Sequence, residues 1–112
     1  MELAVYRIGE IGIAEVEADK LDASNTPEFK NGMAPVVQTN TKVVLDMCRL
    51  RFVDSSGLGA ILSCFQKLNA RGGDMKLCCM SDRVQTVFEL ARLQRIFDIY
   101  STREDAVAAF ES

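Results

Sequence analysis

The succession of apolar patterns between residues 42 and 80 constrains this chain most. Val43-Val44-Leu45 is a short continuous apolar run, which suits a strand buried on both faces. Leu58, Ile61, Leu62, Phe65 and Leu68 then fall at i, i+3, i+4, i+7 and i+10, one continuous stripe on a helix from Leu58 to Ala70. Gly72-Gly73 ends that helix in the manner of a glycine C-cap, and Met75 to Met80 reads as the next strand. Strand–helix–strand order favours a crossover, so a parallel βαβ unit is expected over these residues.

The flanks extend the alternation. Leu3, Val5 and Ile8, then Ile11, Ile13 and Val16, read as a hairpin turning at Gly9-Glu10. Thr26-Pro27-Glu28 has the form of a helix start, with a cap and proline at the first helical position. Phe29, Met33, Val36 and Val37 follow at helical spacing, but Asn31-Gly32 and Pro35 interrupt it. Proline removes a donor and clashes with the preceding turn, so a short, broken or kinked helix is expected there. Residues 48–53 read as a connection, Ser81 as the cap of a helix carrying Val84, Val87, Phe88 and Ala91, and Ile96 to Tyr100 as a short strand or extended piece. Ser101 and Glu104 have capping-box spacing before a last helix with Ala106, Val107 and Phe110 on its apolar face. The result is an α/β domain with no visible linker or repeat.

At 112 residues and 48% hydrophobic, the chain is long enough for one domain with a real core. Its 13 basic and 16 acidic residues leave a net charge of -3, which argues against direct nucleic-acid binding. No run of about 18 apolar residues exists, so membrane insertion is not expected. The N-terminal residues lack a basic region followed by an apolar run, which predicts a cytoplasmic protein. Cys48, Cys64, Cys78 and Cys79 make no Cys-x-x-Cys and histidine is absent, so spacing gives no metal site. Free thiols in or near the core are expected instead, in keeping with a reducing cytosol.

Chemistry is concentrated in Phe52-Val53-Asp54-Ser55-Ser56-Gly57-Leu58-Gly59, where a strand end feeds a helix N-terminus. Sites in open α/β sheets favour that location, and helix N-termini accommodate anions. A hydrolytic serine needs a base, and the usual histidine is missing. No lysine follows Gly57 or Gly59, so the phosphate-cradling loop of nucleotide hydrolases is also missing. Asp46 and Asp54 as a carboxylate pair are weak support for catalysis, and no enzyme is expected. On spacing alone, Asp54, Ser55 or Ser56 serves as a helix cap.

Phe52 to Gly59 resembles the signature of the STAS domain of bacterial anti-sigma factor antagonists. Val43-Val44-Leu45-Asp46 upstream, Phe88-Glu89-Leu90 and Ile96-Phe97 downstream, and Asp105-Ala106 extend the likeness over nearly the whole chain. The resemblance implies one STAS domain over residues 1–112, with a single mixed sheet of about four or five strands and about four helices mainly on one face. It implies that Ser55 is a phosphoacceptor. It implies a docking surface including Asp22, Asn25, Thr26, Asp54, Ser55, Ser56, Gly57 and Leu58. The implied partners are an anti-sigma factor with serine kinase activity and a serine phosphatase; no cofactor is implied. Ser56 is expected to cap or support the turn, and Gly57 and Gly59 to allow close backbone approach. A different partner, such as a transport ATPase or a multiprotein signalling complex, is the alternative within the same family, and a nucleotide-binding or hydrolysing protein is the alternative outside it.

Overall fold

The computed structural model describes residues 2–111. The hairpin forms as β1 (Leu3–Ile8) and β2 (Ile11–Val16), paired antiparallel and turned at Gly9, whose φ of 60° suits glycine. The central unit is β4 (Lys42–Asp46), α2 (Ser55–Ala70) and β6 (Asp74–Cys78), with β4 and β6 parallel and Leu45 opposite Leu77. A short β7 (Ile99–Tyr100) completes a five-stranded mixed sheet in the order β1-β2-β4-β6-β7.

Alternation along these strands serves two layers. Ala14, Val16, Val43, Leu45, Met75 and Leu77 join the larger core with residues of α1 (Thr26–Thr39), α2 and α3 (Asp82–Leu90). Ile11, Ile13, Val44 and Cys78 face the other way, against Ala106 and Val107 of α4 (Arg103–Glu111). Because both faces are covered, the middle of β4, Val43-Val44-Leu45, is apolar without interruption, as read from the sequence. Among the described residues, three α-helices lie on one face and one on the other.

Several local expectations shift. A second ladder, absent from the sequence reading, pairs β3 (Lys20–Leu21) parallel with β5 (Phe52–Val53), so the 48–53 connection ends in a strand. Two-residue strands carry no periodicity from which to recognise them. The helix expected to break at Gly32 and Pro35 runs unbroken for 14 residues. A Cβ on Gly32 would lie 2.8 Å from the Leu3 side chain, so glycine lets α1 settle against β1. Pro35 lies on the exposed face, and the burial of Phe29, Met33, Val36 and Val37 holds the helix through the missing hydrogen bond. The helix cap position is Asn25, one residue before the Thr26 expected.

Gly72 takes the left-handed φ of 80° and Gly73 N–H donates to the Leu68 carbonyl at 2.8 Å, the glycine stop read from the sequence. Ser81 accepts from Val84 N–H at 3.2 Å as the cap of α3. A 3-10 turn (Leu93–Arg95) precedes β7, and Phe97 meets Phe65 edge-on with ring centroids 4.8 Å apart. At α4 the cap is Thr102, accepting from Asp105 N–H at 3.0 Å, one residue past the expected Ser101–Glu104 frame.

Candidate functional site

Asp54 occupies the turn between β5 and α2 with extended backbone, and its side chain organises the surroundings. One carboxylate oxygen accepts from Gly57 N–H at 2.9 Å, which caps α2. The other accepts from Ala23 N–H at 3.3 Å, which ties the helix start to the loop between β3 and α1. The Asp54 N–H in turn donates to the Leu21 carbonyl at 3.3 Å. One side chain thus joins two segments that lie far apart in sequence.

Gly57 is required at this junction. A Cβ there would lie 2.4 Å from the Leu21 carbonyl oxygen and 3.0 Å from Val53 Cγ1. Gly59 differs: a Cβ on it would meet nothing within 4 Å, so it provides no close approach. The expectation of equivalent roles for the two glycines is corrected accordingly.

With Asp54 capping, both serines are released from that task. Ser55 is the first residue of α2 and Ser56 the second, and both are exposed. Among the described residues neither hydroxyl has a hydrogen-bond partner, so Ser56 does not cap the turn as expected. Leu58 is half-buried against the larger core, and its N–H continues the helix to the Asp54 carbonyl at 3.0 Å.

The loop facing α2 is closed on itself. Asn25 Oδ1 accepts from Asp22 N–H at 2.9 Å, while Asn25 Nδ2 donates to the Lys20 carbonyl at 2.9 Å. Asp22 accepts from both the amide and the hydroxyl of Ser24. Those two hydrogen bonds, with Lys20 beside it, hold the Asp22 carboxyl below its ordinary value. Asp22 and Asn25 therefore shape the loop, and Thr26 begins α1 beside them, half-buried.

Among the described residues Asp46 and Asp54 share no hydrogen-bond partner: Asp46 lies at the end of β4 and accepts from Cys48 N–H, whereas Asp54 serves Gly57 and Ala23. Phe52 escaped the sequence reading as a surface residue. It is 47% exposed while Val53 is buried, an alternation that two residues are too few to reveal. Leu90, on the helix lying against β5, is 81% exposed. No described helix is long and apolar enough to cross a membrane.

A family model of the STAS domain matches residues 2–106. BtrV of Bordetella bronchiseptica, a candidate anti-sigma factor antagonist, is 30% identical over 100% of this chain and 97% of its own length. The anti-sigma-B factor antagonist of Bacillus subtilis is 26% identical over 80% of this chain and 83% of its own. Among solved structures, phosphorylated SpoIIAA, a Bacillus cell fate determinant, superposes with a TM-score of 0.73 at 21% identity, over 97% of this chain and 99% of its own. The arrangement of sheet, helices and Asp54-Ser55-Ser56-Gly57 turn, together with these matches, establishes that the chain belongs to the STAS-domain family, among whose members are the anti-sigma factor antagonists.

Proposed function

We propose that this protein is a phosphorylation-switched anti-sigma factor antagonist. Unmodified, it binds an anti-sigma factor that is also a serine kinase, and the bound sigma factor is released in the cytoplasm. Phosphorylation of Ser55 blocks that binding, and a serine phosphatase restores it. The protein acts by binding and catalyses nothing itself. The observation that carries this reading is the division of labour at the helix start: Asp54 caps α2, so the Ser55 hydroxyl stands exposed with no internal role.

The physics of the added group fits a switch of binding rather than of fold. Phosphate brings about -1.5 to -2 charge at neutral pH. It would sit at the N-terminus of a 16-residue helix, where unpaired amides and the helix dipole favour an anion. Among the described residues the Ser55 hydroxyl has no intramolecular hydrogen bond to lose. A partner surface shaped for a neutral hydroxyl meets a dianion beside the Asp54 carboxylate instead. A penalty of about 3 kcal/mol weakens binding more than a hundredfold. The docking surface in this reading comprises Ser55, Ser56 and Leu58 on α2, with the loop of Asp22, Asn25 and Thr26 held against it through Asp54. Gly57 supports it from beneath and exposed Phe52 extends it.

The test is incubation with the host's anti-sigma kinases and ATP, followed by mass spectrometry of the modified residue and affinity capture of the bound partner. Phosphate on Ser55 and capture of a kinase-type anti-sigma factor are expected. Modification elsewhere with Ser55 untouched, or recovery of a transport ATPase or signalling complex in place of the kinase, would overturn the reading.

A further inference from the structure

Aspartate and glutamate are absent from residues 29–45 and again from residues 55–73, although the whole chain carries 16 of them. Those stretches hold α1 after its first turn and all of α2, which share the larger core. Beyond Glu28 in the first turn of α1, the charged residues of the two helices are Lys30 and Lys67, with Arg71 at the C-cap of α2. Among the described residues neither lysine forms an ion pair. A protein of net charge -3 therefore keeps uncompensated positive charge on this helix pair.

The same side chains line a cavity of about 60 Å³ in the groove between the helices. Lys30, Val37 and Gln38 come from α1, and Ser63, Cys64 and Lys67 from α2. Cys64 is 5% exposed and belongs to the core beneath. The Arg71 guanidinium donates to the Val37 carbonyl, which ties the end of α2 to the last turn of α1 and adds a third positive charge at the rim. Burial pushes the Cys64 thiol up, and the Lys67 and Lys30 charges act against that push, so both ammonium groups bear on one point above the sulfur. Neutral donors are free there as well. A hydroxyl inside a helix often bonds the carbonyl one turn back, as Thr39 does to Pro35 and Thr86 to Asp82. Among the described residues the Ser63 hydroxyl makes no such bond, and the Gln38 side-chain amide has no partner.

We propose that this groove binds a small tetrahedral dianion of the inorganic phosphate class, with Lys30 and Lys67 as its charge partners and Ser63 and Gln38 as neutral donors. Two unpaired ammonium groups match two negative charges, and four phosphate oxygens can accept from all four side chains. A carboxylate, with one charge and two oxygens, leaves a lysine uncompensated. Pockets for drug-sized ligands span about 300–1,000 Å³, so a cavity of about 60 Å³ admits one oxyanion and excludes a nucleotide. The bound ion would bridge α1 and α2 by charge-assisted hydrogen bonds, beside the tie that Arg71 already makes. The lining residues lie beyond the first turn of either helix, so the site is distinct from Ser55 and the amides that open α2. Sequence spacing hides it, because Lys30 and Lys67 stand on different crossover helices and meet only when these pack together.

The experiment titrates the full-length, isotope-labelled protein with sodium phosphate at constant ionic strength, in mildly alkaline solution where phosphate is the dianion, and follows backbone amide NMR shifts. Saturable shifts centred on Gln38, Ser63, Cys64 and Lys67 are expected. Sulfate should reproduce them, and acetate should bind at least about tenfold more weakly, since hydrogen bonds to charged groups are worth about 1.5–3 kcal/mol each. Lys30→Gln and Lys67→Gln should each weaken phosphate binding about tenfold or more, and Ser63→Ala by a smaller factor. Lys42→Gln, a lysine at the start of β4, should change nothing. Circular dichroism confirms that each variant is folded. Shifts that never saturate, shifts confined to the first turn of α2, or binding that survives Lys30→Gln and Lys67→Gln together in a folded protein would overturn the site.

Discussion

Gly57 and Gly59 stand two residues apart in α2 and have opposite structural consequences. Gly57→Ala forces a methyl to within 2.4 Å of the Leu21 carbonyl oxygen, and backbone cannot step aside as a side chain can. We expect a loss of about 1–3 kcal/mol in urea unfolding. Gly59 is exposed with open space around its Cα, so Gly59→Ala should gain about 0.5–1 kcal/mol from helix propensity alone. Equal effects of the two substitutions would contradict the packing described for the turn. Asp54→Ala should cost about 1 kcal/mol as a lost cap and also free the Ala23 amide, which faster hydrogen exchange at Ala23 would report. At this scale the motif was legible as a helix start, because Asp, Ser and Gly before an apolar stripe have few other uses. Which of three candidates caps, and which glycine is indispensable, was not legible. Both answers depend on Leu21 and Ala23, which reach the site only through the β3–β5 ladder.

Periodicity reveals helices and strands that carry many periodic positions, whereas elements decided by tertiary contact leave no such pattern. The hairpin, β4, α2 and β6 follow from alternation or a helical stripe sustained over several residues. α1 was expected to break because Gly32 and Pro35 are poor helix residues taken locally. In the fold, Gly32 is a contact residue beneath Leu3 and Pro35 faces solvent. The helix therefore survives on its buried face rather than on its propensity. Pro35→Ala should therefore stabilise the protein, by about 1–3 kcal/mol, since an exposed proline in a helix interior forfeits a backbone hydrogen bond. Gly32→Ala should do the reverse despite alanine's better helix propensity, because the new methyl meets Leu3 at 2.8 Å. Thermal unfolding of the two variants side by side distinguishes burial from propensity as the force that holds α1.

Across the whole molecule, the sheet presents two different surfaces at its carboxyl end. On one side Asp54 joins α2 to the β3–α1 loop and leaves Ser55 exposed; on the other Asp46 and the thiols converge beneath α4. The α/β class and the strand end that carries the motif were visible in the order of apolar patterns. The distribution of three helices to one face and α4 to the other depends on which alternate residues each strand turns to which layer. In the proposed switch, charge at Ser55 alters binding while the fold stays intact. Calorimetric titration of an anti-sigma factor partner with unmodified protein and with protein phosphorylated at Ser55, alongside urea unfolding of both forms, separates the two effects. Binding weakened more than about a hundredfold on phosphorylation is expected, with unfolding free energies within about 0.5 kcal/mol of each other. Equal affinity of the two forms, or loss of binding accompanied by loss of folding, would contradict that switch.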